Sequence, residues 1–276
     1  MNAAQQPRAM LFVSGEKPDR FDKALAAGAD LVCIDLEDAV APRAKAQARA
    51  AVLQWLQARR PAGIALRVNG VRTLEGLRDL LALVEADVRL DWLLLPKVES
   101  ADELQLVQAW TGERCPRLAA LLETPVAIEQ AGRIAAAGGR LGALMLGGAD
   151  LAAELGAQFG WDGLLHARGR LVNAARAGGL QAWDVPYIAL DDEAGLAEET
   201  RRVAALGFDC KTAIHPRQLP VVHAALQPSA AEAEWAAALL ADLPEGATPG
   251  AYLFRGRMVD APVLAKARRI AARIQA

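Results

Sequence analysis

Charged residues in this chain fall where short apolar runs end. Asp35, Glu37 and Asp38 close one run. Arg67 and Asn69 end the next, and Lys97 and Glu99 follow a third. Glu123, Asp150, Asp184 and His215 come after later ones. Carboxylates with no cysteine beside them and few histidines form the donor set of a hard divalent cation. Mg2+ takes one or two protein carboxylates and completes its shell with water and substrate oxygens. Glu123 and Asp150 are the best pair for it. Either alone also suits a helix N-cap or first turn, and Asp150 stands just before a helix expected to begin at Leu151. Arg67 lies inside an apolar run, where a cation must meet an anion or bear a desolvation cost. It is either a structural ion pair with Glu37 or Asp38, or a fork that grips a carboxylate or enolate oxygen. Lys97 fits a charged, paired ammonium better than a Schiff-base nucleophile. His215 suits a pocket role, orienting a loop or a substrate, or a purely structural one. His166 and His223 lie in helical stretches and read as surface or packing residues.

Those charges need a scaffold that brings distant segments to one place. Eight apolar runs recur, at Met10–Val13, Leu31–Asp35, Ile64–Val68, Trp92–Leu95, Leu118–Leu122, Ala143–Leu146, Gln181–Trp183 and Cys210–Ile214. Stretches with helical spacing separate them, at 19–27, 42–59, 73–85, 101–110, 125–137, 164–177 and 192–206. Strand–helix repeats imply parallel strands with right-handed crossovers, either in an open doubly wound sheet or in a closed barrel. The first run ends Val13-Ser14-Gly15-Glu16, with no G-x-G-x-x-G, and eight units suit a barrel. The expected fold is α/β, a (β/α)8 TIM barrel over 1–226 with a C-terminal helical extension over 227–276. The extension carries a helix at 230–241, a Pro/Gly-rich break at 243–250, an aromatic segment Tyr252–Phe254 and a final helix at 262–274 bearing Lys266, Arg268, Arg269 and Arg273. That basic helix reads as a solvated face or as an appendage packing on a neighbouring subunit. Active sites of such barrels sit at the carboxyl ends of the strands, where the charges collect.

Composition narrows the function classes. Lys plus Arg is 31 and Asp plus Glu 33, a net charge of −2, so no footprint for nucleic acid or an anionic membrane is expected. The longest stretch free of these charges, Gln218 to Ala231, is 14 residues and contains Pro220 and Pro228. A membrane-spanning helix needs ~20 apolar residues. Met1 to Pro7 shows neither a basic n-region nor an apolar h-region, so no secretory leader is expected. Cys33, Cys115 and Cys210 are widely spaced and match neither a disulfide framework nor a zinc motif; they read as buried thiols in a reducing cytoplasm.

Several segments, in order along nearly the whole chain, resemble the citrate lyase β-subunit-like (CitE-like) proteins of the HpcH/HpaI aldolase superfamily. They are RAMLFVSG (8–15), DLEDAVAP (35–42), LRVNG (66–70), LLPKVES (94–100), LLETP (121–125), GGADLAAELG (147–156), KTAIHPRQL (211–219) and GRMVDAP (256–262). The resemblance implies a (β/α)8 barrel, homotrimeric or homohexameric, with Mg2+ at the strand ends. Glu123 and Asp150 match the metal ligands and Arg67 the substrate-binding arginine. Glu37 and Asp38 match acidic residues around the metal's waters, and Gly148, Ala149, Lys97 and His215 complete the expected substrate-binding set. Asp260 matches an acid/base that reaches a neighbouring subunit's site, although by sequence alone it suits an N-cap for the final helix. The implied activity is cleavage or formation of a 3-hydroxyacyl-CoA thioester, such as citryl-CoA, malyl-CoA or citramalyl-CoA, giving an acyl-CoA and a 2-keto acid. Two alternatives go with it: an aldolase on free 2-keto acids, and a β-subunit active only with an acyl carrier protein. The chain departs from the family at Ser14, usually proline, at Ala149, commonly acidic, and at Cys210, usually glycine.

Overall fold

Continuous apolar runs let each strand bury both faces, alternate side chains pointing to a lumen and to a helical layer. The computed structural model describes residues 6–243 and 250–275. The leader reading at the N-terminus and the Pro/Gly-rich break lie for the most part outside these residues. Two compact units appear, Gln6–Val222 and a second from His223 onward.

In the first unit eight strands pair in parallel in sequence order. They are β1 (Ala9–Ser14), β2 (Leu31–Asp35), β3 (Ile64–Arg67), β4 (Trp92–Leu95), β5 (Arg117–Leu122), β6 (Leu141–Leu146), β7 (Gln181–Asp184) and β8 (Cys210–Ala213). β8 pairs back onto β1 and closes the barrel. The crossovers contain α1 (Phe21–Leu25), α2 (Lys45–Arg59), α3 (Leu74–Glu85), α4 (Ala101–Thr111), α5 (Pro125–Ala135), α6 (Gly148–Leu155), α7 (Trp161–Ala177) and α8 (Glu193–Leu206). The TIM barrel expected from the strand–helix rhythm is the fold observed. Met10, Phe12, Cys33, Ala65, Leu94, Ala119, Leu121, Met145, Trp183 and Cys210 pack together as lumen residues. Thr73 and Thr124 accept the Gly76 and Ala127 N–H groups, capping α3 and α5. At the strand starts, Asp30 accepts the Arg8 and Ala9 N–H groups, and Asp91 accepts those of Gly63 and Ile64.

One expectation is corrected here. Asp184 was grouped with the charges at the strand ends. It alternates with Trp183, a lumen residue, and so faces the helices instead. There Lys211 Nζ donates to Asp184 Oδ2, Glu199 Oε1 and the Val185 carbonyl, each at 2.7 Å. Arg168 Nε adds a bond to Asp184 at 2.9 Å. Burial pushes the Asp184 carboxyl up, but Lys211 and Arg168 override it and hold the group below its usual range. Two cations against two carboxylates make a balanced network between barrel and helices.

α9 (Gln218–Leu226) was not foreseen. Pro220 argues against a helix, yet it falls in the first turn, whose N–H groups have no intrahelical partner. In the second unit α10 (Ala230–Ala241) begins with a capping box of Ser229 and Glu232. The aromatic segment becomes β9 (Tyr252–Phe254), hairpinned to β10 (Arg257–Val259). Arg255 and Gly256 between them both have positive φ, as a two-residue hairpin turn requires. α11 (Ala261–Gln275) follows. Ala236, Leu239, Phe254, Val259, Leu264, Ala267 and Ile270 form this unit's core. No described helix is long and apolar enough to cross a membrane.

Candidate active site

The period-2 alternation that fills the lumen continues to its carboxyl mouth. Cys33, Ala65 and Leu121 point inward, so Asp35, Arg67 and Glu123, two positions further on, share the next layer. The β2–β3 register sets Asp35 directly beside Arg67. The guanidinium grips that carboxylate through Nε at 2.7 Å and Nη2 at 2.6 Å. Its Nη1 lies 3.0 Å from Glu37 Oε2 and 3.7 Å from Asp38 Oδ2. The ring of Phe12 sits 5.2 Å from its Cζ. Both ion pairs weighed for Arg67 are therefore present. The strongest partner, Asp35, was missed as such; inward parity on adjacent strands was the available signal. Asp35 also accepts the Glu37 and Ala39 N–H groups, so it shapes the loop that carries Glu37 and Asp38.

Glu123 Oε1 accepts the Lys97 N–H at 2.7 Å. Lys97 Nζ is hydrogen-bonded to Asp150 Oδ2. That bond raises the ammonium pKa, with burial opposing it. A lysine held protonated in this way is a poor Schiff-base nucleophile. α6 begins at Gly148, so Asp150 stands in its first turn and does not cap a helix starting at Leu151. Lys97 thus joins the two proposed ligands, one through its backbone and the other through its side chain.

Negative charge is in excess at this mouth. Burial pushes the Glu37 carboxyl up to about 8; Arg67 opposes this, while Glu123, Asp38 and Asp35 add to it. Burial likewise pushes Glu123 up to about 7, with Asp150 adding and Arg67 and Lys97 opposing. Glu37 Oε2 is buried and has no hydrogen-bond partner. A cation at the mouth would relieve all three conditions. Among the described residues no group of three or more His, Cys, Asp or Glu side chains is arranged to hold a metal ion. The carboxylates that gather here are hard oxygen donors of the kind that suit Mg2+.

Glycine makes room for Glu123. A Cβ on Gly147 would lie 2.3 Å from Glu123 Cβ and 2.4 Å from Oε2. Gly147→Ala is expected to push the carboxylate aside. Misplacing a reacting group by ~1 Å can cost ~10²-fold, so kcat/KM should fall by about that factor, and the melting temperature should fall with it, because the overlap with Glu123 Cβ must be relieved by the backbone. A Gly147→Ala protein with near-normal kcat/KM would show that Glu123 is not held to this position. Gly148 is equally constrained, its Cβ position lying 2.7 Å from Val185 Cγ1.

The other expected residues are dispersed. Ala149 is exposed at the start of α6, and Asp38 is largely exposed at the rim. His215 is exposed after β8, where Nδ1 accepts the Arg217 N–H at 3.2 Å, a turn-forming role. Asn69 turns away from the mouth to Asp79 and the Leu36 carbonyl. Asp260 belongs to the second unit, where Oδ1 accepts the Val263 N–H at 3.2 Å and caps α11.

A family described as HpcH/HpaI aldolase/citrate lyase matches residues 8–216, most of the chain. The chain belongs to the HpcH/HpaI aldolase/citrate lyase family. It is a lyase of that family. A citrate lyase subunit beta-like protein of Mycobacterium tuberculosis is 38% identical over 275 residues, covering 97% of this chain and 95% of that protein. The mitochondrial citramalyl-CoA lyase of Homo sapiens is 33% identical over 283 residues, covering 95% of this chain and 83% of its own. Among solved structures, M. tuberculosis CitE in complex with magnesium, acetoacetate and coenzyme A superposes with a TM-score of 0.85 at 36% identity. The match covers 99% of this chain and 100% of that one.

Proposed function

We propose that the protein is an Mg2+-dependent carbon–carbon lyase. It cleaves, or in reverse forms, a 3-hydroxyacyl-CoA thioester of the citryl-CoA, malyl-CoA or citramalyl-CoA class, with an acyl-CoA and a 2-keto acid as the other side of the equation. The observation that carries this reading is the mouth of the barrel: carboxylates in excess of cations, two of them driven up by burial, facing one anchored guanidinium. The CoA and Mg2+ named for family relatives support the choice of substrate class and ion.

Glu123 and Asp150 would hold the ion, which when bound supplies Lewis acidity to the oxygens of the 2-keto acid half. Arg67 presents its Nη1 edge to the charge that develops as the carbon–carbon bond electrons move to the thioester side. Asp260, supplied by a neighbouring copy, protonates the enolate carbon on cleavage, and the proton that the 3-hydroxyl gives up as its carbon becomes the keto carbonyl replaces it, so that cleavage is proton-neutral overall; condensation runs both transfers in reverse. Glu37, Asp38, Lys97, Gly148, Ala149 and His215 are the further substrate-binding residues of this reading. The assembly in this reading is a homotrimer or homohexamer, as the family resemblance implies. Leu74, Leu77 and Leu81 on α3, with Leu106 and Trp110 on α4, leave large apolar side chains exposed. The buried, unpaired thiols Cys33, Cys115 and Cys210 suit a reducing cytoplasm.

The test is a panel of citryl-CoA, malyl-CoA, citramalyl-CoA and free 2-keto acid aldols, each assayed with Mg2+ and again in excess EDTA. Cleavage of a CoA ester that EDTA abolishes is the expected result. Activity undiminished by EDTA rejects the metal. Cleavage of free aldols alone indicates the CoA-independent aldolase. Turnover only with an acylated carrier protein indicates a lyase subunit that needs that partner.

A further inference from the structure

Lys97 has a left-handed backbone, with φ of 55°, which is uncommon for a residue with a Cβ. Such a conformation is strained and persists where surrounding structure imposes it. What imposes it here is a ring of hydrogen bonds. The Lys97 carbonyl accepts Arg72 Nη2 at 3.0 Å. Arg72 Nη1 pairs with Glu99 Oε2 at 2.7 Å. Glu99 Oε1 accepts the Thr124 hydroxyl at 2.8 Å, and Thr124 directly follows Glu123 in the chain. The Lys97 N–H then closes the ring on Glu123 Oε1. Glu103 adds a second carboxylate, with Oε2 3.8 Å from Arg72 Nε and buried without a hydrogen-bond partner. Arg72 is the one cation ion-paired to this acidic pair among the described residues.

We propose that Arg72 is a positioning residue: by bridging the Lys97 carbonyl and Glu99 it holds the left-handed turn whose N–H fixes Glu123, and so sets the protein's affinity for the divalent cation. The assignment rests on the reading of Glu123 as a metal ligand. Arg72 itself touches neither ion nor substrate. Its side chain is half exposed, and an exposed ion pair normally contributes little to stability. A purely structural role therefore predicts a small change in melting temperature and none in metal binding. A positioning role predicts the reverse, because removing a partner that orients a ligand typically costs about 10–100-fold in metal affinity.

The experiment is calorimetric titration of Mg2+ into the full chain without substrate, with Mn2+ followed by electron paramagnetic resonance as a second probe. Arg72→Ala is expected to weaken Mg2+ binding about 10–100-fold with the melting temperature nearly unchanged. Arg72→Lys keeps the charge but cannot bridge both acceptors, so it should not restore affinity. Glu99→Gln, nearly isosteric, should weaken binding in the same direction by less, and it serves if Arg72→Ala folds poorly. Wild-type affinity in Arg72→Ala and Glu99→Gln, or full recovery in Arg72→Lys, overturns the proposal. If the wild-type chain itself binds neither ion, the metal reading fails and this inference with it.

Discussion

Asp150→Asn is expected to reduce turnover at least ~10²–10³-fold, the range lost when a key electrostatic group is removed from such a site. The substitution keeps size and shape and removes one negative charge. Asp150 is partly exposed in the first turn of α6, and its side chain bonds to Lys97 alone among the described residues. No buried counter-charge is stranded by its loss, so the fold should hold. The loss should appear in kcat as well as in KM, with thermal melting unchanged and Mg2+ affinity reduced in calorimetry. Glu123→Gln should behave alike in activity, since it removes the other proposed ligand. Turnover within a few-fold of wild type in Asp150→Asn would falsify the assignment of this pair.

Arg67→Ala should produce a double loss. Turnover is expected to drop by a similar ~10²–10³, because the one guanidinium in the mouth layer is gone. Stability should fall as well. Asp35 is 1% exposed and gripped at both oxygens, so the alanine variant strands a buried carboxylate. Breaking a buried pair by removing one partner typically costs about 3–5 kcal/mol, readable by urea denaturation. Arg67→Lys separates the two effects. It retains a charge for Asp35 and so should recover much of the stability, but it lacks the planar fork and should remain poor in turnover. Equal stability of wild type and Arg67→Ala would mean that Asp35 does not depend on this cation. Recovery of full turnover in Arg67→Lys would mean that charge alone suffices at this position.

How much of this was legible beforehand differs by element. Strands β2 and β4 coincide with their apolar runs at both ends, and the others agree within two residues at each end, because a fully buried parallel strand is written as a continuous apolar run. α6 and α9 were less readable. One opens on glycines that serve Glu123 and Val185 rather than helix propensity, and the other carries a proline its first turn tolerates. Asp184 looked like Asp35 on paper, since each ends a strand. One parity step decides that Asp35 meets Arg67 in the lumen while Asp184 meets Lys211 behind it. The Lys97 turn had no sequence signal, since its φ is imposed by Arg72 and Glu99, which are distant or unremarkable in the chain.

By itself the sequence determined the kind of molecule this is: eight buried strands with helices between them, family blocks in order, and a set of acids and cations near the strand ends. Those follow from local patterning, because a strand buried on both faces is a short continuous apolar run and the helices between have their own spacing. Only the tertiary structure decided which charges face one another. Pairing between Asp35 and Arg67, the hold of Lys97 on Glu123 and Asp150, and the retreat of Asp184 to the helical layer depend on strand register and barrel closure. Alternation along a run fixes which face a side chain takes, but the stagger between two strands joined by a long crossover is a relation between distant segments, settled only when they pair.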